Sequence, residues 1–202
     1  MSYSQNNEDE FVLEYFGDFK GTLLEIGAND GADLSNSKLL IEHGWAAHLV
    51  EPGSTFEQLQ LRYQSNPNVH LYNFGIGGCD ENVTFWESGS HVPNGSDKGL
   101  VSTTCFEETK RWPDVTFMER EVQLVKWDTF CKTPGLTFDF ISIDAEGCDW
   151  DILKQIDLKS VGCKVLCIEY NSNVELLNLF TNYCAGYNLA LKNAENLIFV
   201  SA

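Results

Sequence analysis

Basic residues are scarce in this chain: 13 lysines and arginines stand against 30 aspartates and glutamates, a net charge of −17 over 202 residues. That sign argues against a nucleic-acid backbone or an anionic membrane surface as the main partner. No apolar run approaches the 18 or more residues of a membrane span. The opening Met-Ser-Tyr-Ser-Gln-Asn-Asn has neither a basic nor an apolar leader region, so the expectation is a soluble, cytoplasmic protein. Cys-x-x-Cys pairs are missing too. The seven cysteines, at 79, 105, 131, 148, 163, 167 and 184, read as reduced thiols that fill the core. Internal repeats, low-complexity tracts and linkers are absent. With 43% hydrophobic residues, the chain suits one domain spanning 1–202.

What is present centres on Thr22-Leu23-Leu24-Glu25-Ile26-Gly27-Ala28-Asn29-Asp30-Gly31. It reads as a short buried strand, a glycine-bounded turn and an amphipathic helix over residues 34–43. Glu25 is a carboxylate in an otherwise apolar strand, and burying a charge without a partner is costly. A lysine or arginine, hydrogen-bond donors or a bound ligand would each satisfy it.

In chain order, Asn7 with Glu10 resembles a capping box and predicts a helix over residues 8–16, within an N-terminal cap at 1–20. Ala47-His48-Leu49-Val50-Glu51-Pro52 is a second strand ending in an acid. A helix over 55–64 leads to a third strand over 69–74, closing on Gly75-Ile76-Gly77-Gly78. Strand alternating with helix implies an open, mostly parallel sheet with its ligand site at the carboxyl ends of the strands. Residues 80–120 break the pattern as an irregular insertion or lid, with Val83-Thr84-Phe85-Trp86 its one strand candidate. Strands resume over 121–127, 138–144 and 165–170, with helices over 128–131, 149–155 and 174–183. A closing hairpin pairs 189–192 with 196–200.

The loop does not match a dinucleotide fingerprint. Asn29 stands where the middle glycine admits a pyrophosphate, and Glu25 and Asp30 add negative charge where phosphates would sit. No Lys-Ser/Thr follows, which rules out a phosphate-cradling loop. The position of Glu51 suits an acid that accepts hydrogen bonds from ribose hydroxyls. A nucleoside with a cationic group and no phosphate fits both features, as S-adenosylmethionine does.

Ser4-Gln5 with Glu8-Asp9, Glu25-Ile26-Gly27-Ala28-Asn29-Asp30-Gly31, Glu51-Pro52 and Ile143-Asp144-Ala145-Glu146-Gly147-Cys148-Asp149, in this order, resemble the FkbM-type S-adenosylmethionine-dependent methyltransferases. The resemblance implies the class I methyltransferase fold: a Rossmann-like α/β seven-stranded sheet, mostly parallel, with the last strand antiparallel and helices on both faces. It also implies methyl transfer to a hydroxyl of a small-molecule, sugar or glycan acceptor. By matching motifs, Gly27, Asn29 and Gly31 would line the methionine moiety, Glu51 the ribose, and Asn73, Gly75 and Ile76 the adenine edge, with Ala28, Pro52 and Asp144 as further cofactor contacts. Glu25 would help hold the methionine end, and Gln5 would close over the cofactor or simply cap the fold. Acceptor choice is expected in residues 78–120.

An alcohol is a weak nucleophile, so a general base or a metal ion is expected at the acceptor. Asp144 and Glu146 are the leading catalytic candidates, followed by Glu169 and His91. Asp144 would otherwise cap a helix, Glu146 fix a turn and Asp149 act as a first-turn acid. Ser102, Thr103 and Thr104 would hydrogen-bond an acceptor and Trp86 and Trp112 stack on one, or serve as ordinary loop and packing residues. Asp144, Glu146, Asp149 and Asp151 are magnesium-type oxygen donors without EF-hand spacing; a divalent cation is not favoured, zinc less so, and no metal ligand is assigned. A non-catalytic nucleoside-binding module of the same fold is the alternative, and the loop disfavours an NAD-linked oxidoreductase.

Overall fold

The computed structural model describes residues 2–90, 92, 95, 99–132 and 136–202. In chain order the elements are α1 (Glu8–Phe16), β1 (Thr22–Ile26), α2 (Lys38–Glu42), β2 (Ala46–Val50), α3 (Phe56–Tyr63), β3 (Val69–Tyr72), β4 (Gly75–Ile76) and β5 (Asn82–Glu87). They continue with α4 (Phe106–Thr109), β6 (Met118–Val125), α5 (Trp127–Phe130), β7 (Phe140–Ile143), α6 (Asp149–Leu153), β8 (Val165–Glu169), α7 (Val174–Tyr183), β9 (Tyr187–Lys192) and β10 (Asn196–Ser201).

Seven strands form the main sheet in the order β3-β2-β1-β7-β8-β10-β9. The first five are parallel, and β10, last in the chain, runs antiparallel between β8 and β9. This is the sheet the family resemblance implies. Its strands are short apolar runs because both faces are covered. Leu24, Ile26, Ile141, Ile143, Leu166 and Ile168 enter one core with Trp127, Ile152 and Phe180. Leu23, Leu49, Phe140, Val165 and Cys167 enter the other with Val12, Leu40 and Leu59. Leu23 and Leu24 are both fully buried, each worth roughly 1.5–3 kcal/mol, so β1 is anchored on both sides.

Two local expectations fail. The helix after the glycine loop starts at Lys38, not at residue 34. Asp30 turns the chain by accepting the Ala32 and Asp33 amides, and Leu34 takes a left-handed φ of 55° while bridging to Ser4. A bulky residue in that conformation cannot belong to a right-handed helix. The capping box at Asn7 also fails: Asn7 is left-handed and its side chain makes no cap. Asp9 instead folds the N-terminus back on α1, accepting from the Ser2 and Ser4 hydroxyls (2.6 and 2.8 Å) and the Tyr3 amide (2.7 Å). Glu8 accepts from Asn193 and Asn196 of the terminal hairpin turn, both at 2.8 Å, which ties the two ends of the chain together.

The irregular insertion contains more order than its composition suggested. β5 pairs antiparallel with β6, which pairs parallel with β4, forming a second sheet of three strands. The strand expected at 121–127 thus begins at Met118 and belongs to this sheet. Among the described residues, no helix is long and apolar enough to cross a membrane.

Candidate active site

Register brings the carboxyl ends of β1, β2, β7 and β8 level. Gly27 and Ala28 donate to the Val50 carbonyl, Asp144 donates to Ile26, and Ile143 pairs with Ile168. Gly27 turns there with φ 86°, and a Cβ on it would stand 1.8 Å from the Asp144 carbonyl oxygen. Above these ends lies a cavity of about 440 Å³, within the roughly 300–1,000 Å³ typical of small-ligand sites.

Gln5, Glu25, Gly27, Ala28, Asn29, Glu51, Pro52, Gly75, Ile76, Asp144 and Glu146 all line that cavity. Gly31 and Asn73 do not. Gly31 packs on α3, where an added Cβ would stand 2.5 Å from Leu59 and 2.7 Å from Tyr63. The Asn73 carboxamide turns inward to the Glu51 carbonyl at 3.0 Å, so it fixes the end of β2 instead of facing a ligand. His91 lies outside the described residues.

Glu25 has a definite partner set. It points to the α2 side of the sheet and accepts from the Ser37 hydroxyl (2.5 Å), the Asn36 amide (2.9 Å) and the Ser35 hydroxyl (3.3 Å). These are donors of the turn entering α2, so the acid secures a turn that lines the cavity with it through Ser35 and Asn36. Ser37, the residue before the helix, spends its hydroxyl on Glu25 instead of capping α2.

Glu51 joins two loops. One oxygen accepts the Asn29 amide at 2.9 Å and the other the Gly53 amide at 2.6 Å. Burial pushes both Glu25 and Glu51 up to about 7; their hydrogen bonds act in the opposite direction, and the Glu87 carboxylate adds to the rise at Glu51. Folded, each acid keeps its proton over a range where the unfolded chain has released it. Their contribution to stability is therefore complete below the unfolded value near 4.5 and is lost as pH rises through about 7. The melting temperature of the ligand-free protein should fall from about pH 5 to about pH 8, with a loss of roughly 3 kcal/mol per acid. Scanning calorimetry across that range checks it, and a rising melting temperature would contradict it.

At the carboxyl ends of β7 and β8 three more acids converge. Asp144 follows β7, Glu146 sits in the next turn with φ 45°, and Glu169 ends β8. One oxygen from each lies within 4.8 Å of the other two. Burial, reinforced by Asp149, Glu25 and other neighbouring acids, pushes Asp144 up to about 8. Burial and Asp144 push Glu146 up to about 9, and Glu169 rises well above its usual range for the same reasons. Asp149 serves the backbone instead. Its oxygens accept the Ala145 and Gly147 amides at 2.9 and 3.2 Å, which closes the turn that presents Glu146. Asp151 is exposed and paired with Lys154.

Several hydroxyls considered for an acceptor are already engaged. Thr103 donates to the Glu146 carbonyl at 2.7 Å, Ser102 donates to the Gly99 carbonyl at 2.9 Å, and Thr104 lies 3.1 Å from the Cys148 sulfur. Trp86 packs against Phe106 in a tilted ring contact and is not part of the wall, whereas Trp112 is. Phe85, Val101 and Leu124 form an apolar part of the wall that no sequence motif marks. Phe85 carried a signal, since β5 alternates and places Phe85 and Glu87 on its buried face.

The strand order, the glycine turn after β1 and the carboxylate after β2 define a class I S-adenosylmethionine-dependent methyltransferase fold. The methyltransferase FkbM domain matches residues 25–185, and the chain belongs to that family. Its cofactor is accordingly S-adenosylmethionine. The cavity's donor set is compatible: carboxylates for a cation, the turn of Gly27 to Asn29 in the wall, and apolar Val50, Ile76, Phe85 and Leu124 for a base.

One solved structure, of a candidate methyltransferase, yhhF of Escherichia coli, agrees on the fold. It is similar over 100% of this chain and 88% of its own, with 11% identity and a TM-score of 0.51. The 1,6-didemethyltoxoflavin-N1-methyltransferase of Burkholderia thailandensis, solved with S-adenosylhomocysteine, gives 10% identity, 97% and 76% coverage and a TM-score of 0.49. The precorrin-6y C5,15-methyltransferase of Geobacter metallireducens gives 10%, 96% and 85%, and 0.46. No curated protein sequence matches significantly.

Proposed function

We propose that this chain transfers the methyl group of S-adenosylmethionine to a hydroxyl of a small-molecule, sugar or glycan acceptor. The observation that carries the reading is the convergence of Asp144, Glu146 and Glu169 in the cavity wall, one oxygen of each within 4.8 Å of the others, where desolvation and neighbouring acids push Asp144 up to about 8 and Glu146 up to about 9. A base whose conjugate acid titrates near neutrality is suited to take a proton from an alcohol. Bound S-adenosylmethionine supplies an already activated methyl group, so the protein's share is orientation and proton removal. Asp144 accepts the hydroxyl proton as the acceptor oxygen bonds to the methyl carbon and the carbon–sulfur bond breaks, its electron pair passing to sulfur. Glu51 holds the ribose, and the Gly27 to Asn29 turn receives the methionine end. Trp112 and residues 99–104 face the acceptor; the Trp112 indole N–H is buried without a hydrogen-bond partner among the described residues, leaving it for a substrate oxygen.

The net charge of −17 supports a neutral or carbohydrate acceptor over nucleic acid. Incubation with methyl-labelled S-adenosylmethionine and a panel of sugars and small alcohols, with products read by mass spectrometry and NMR, tests this. An O-methyl ether is expected; N-methylated product from amine or RNA controls alone would overturn the acceptor assignment. For the cofactor contact, Glu51→Ala should weaken S-adenosylmethionine binding at least about tenfold, the loss of one or more charge-assisted hydrogen bonds. Calorimetry showing unchanged affinity would remove Glu51 from the ribose site.

A further inference from the structure

Three carboxylates meeting in one wall need a positive partner or shared protons, because like charges at this range oppose joint ionisation. Among the described residues no lysine, arginine or histidine forms an ion pair with Asp144, Glu146 or Glu169. Arg111, whose field reaches Glu146, is itself bonded to Glu108. Glu146 is 9% exposed, and its Oε2 is fully buried with no hydrogen-bond partner among the described residues. A buried carboxylate oxygen left this way is costly unless something outside the protein completes it.

We propose that Asp144, Glu146 and Glu169 bind one divalent cation of the hard, oxygen-preferring class, magnesium or manganese. Their oxygens, one from each residue, lie within 4.8 Å of one another, a spacing that small adjustments reduce to that of ligands around a common ion. Oxygens bound to magnesium stand about 2.0–2.1 Å from it, and this ion takes few protein carboxylates and keeps its remaining positions for water or substrate. All three donors are carboxylates, a set that suits magnesium or manganese and not zinc. Asp149 completes no part of the set, since its oxygens are taken by the Ala145 and Gly147 amides. The grouping differs from the one sequence spacing suggests: Glu169 replaces Asp149 and Asp151, because β8 lies beside β7 in the sheet.

The purpose assigned to the ion, polarising the acceptor hydroxyl so that its proton passes more readily to the second, uncoordinated oxygen of Asp144, rests on the methyl-transfer reading above. The binding itself does not. It is tested on the purified full chain, without S-adenosylmethionine or acceptor, by electron paramagnetic resonance of free manganese during a titration. One manganese per chain should be taken up and displaced by excess magnesium. Glu169→Gln and Glu146→Gln should each weaken that uptake at least about tenfold, as ligand loss exceeds the roughly 10–100-fold cost of altering even an outer partner. Glu57→Gln, an exposed acid elsewhere, should leave it unchanged and serves as the control for general attraction to an acidic protein.

Manganese should also raise the melting temperature of the wild type and not that of Glu169→Gln. Uptake equal in wild type and both variants, or no stoichiometric uptake at all, would overturn the site. In that case the three groups share protons instead. Stoichiometric uptake by a protein that transfers no methyl group would leave the site standing and remove the methyl-transfer reading.

Discussion

Replacing Gly27 by alanine should abolish S-adenosylmethionine binding and destabilise the fold. The new Cβ would stand 1.8 Å from the Asp144 carbonyl oxygen, far inside contact distance, at a residue whose φ of 86° already suits glycine alone. The obstacle is backbone, not a movable side chain, and Asp144 is held by the hydrogen bond its amide donates to the Ile26 carbonyl. Relief requires β1 and β7 to separate at the ends that carry Glu25, Asp144 and the loop. Overpacking and backbone strain each cost about 1–3 kcal/mol, so a loss of about 3 kcal/mol or more is expected. Urea denaturation gives the stability and calorimetry the affinity. A variant matching the wild type in both would mean that the turn is not the rigid floor of the site.

Asp144→Asn is expected to have the largest effect on chemistry with the least on shape. The amide keeps the volume and removes the base, so turnover should fall by about 10²–10⁴-fold while S-adenosylmethionine affinity changes much less. Measuring both on one preparation separates the two. Normal turnover would move the base to Glu146 or Glu169, whose oxygens share the same cluster.

The parts legible in the sequence were those set by short-range pattern. The strand from Thr22 and the helices Glu8–Phe16 and Val174–Tyr183 follow from apolar periodicity, the mostly parallel sheet from alternation of strand and helix, and its seven strands with an antiparallel last one from the family resemblance; the strand order itself comes from the structure. Glu25 was visible as an acid in an apolar run, but its partners were not. They come from a turn ten to twelve residues later, whose course depends on Leu34 adopting a left-handed φ that no propensity predicts. Glu169 was recognised as an odd acid at a strand end. Its meeting with Asp144 and Glu146 needed the adjacency of β7 and β8, which is a property of the assembled sheet. Asn73 and Gly31 sit in the right loops and face away from the cavity, because loop proximity in sequence does not fix side-chain direction.

The central claim is that the cavity above Gly27 and Glu51 is built for a cationic nucleoside without phosphates. Native mass spectrometry of the protein after incubation with equal concentrations of S-adenosylmethionine and nicotinamide adenine dinucleotide, followed by desalting, tests it most directly. One S-adenosylmethionine, or its demethylated product, should be retained per chain. Retention of the dinucleotide, or recovery of the bare chain alone, would contradict the account.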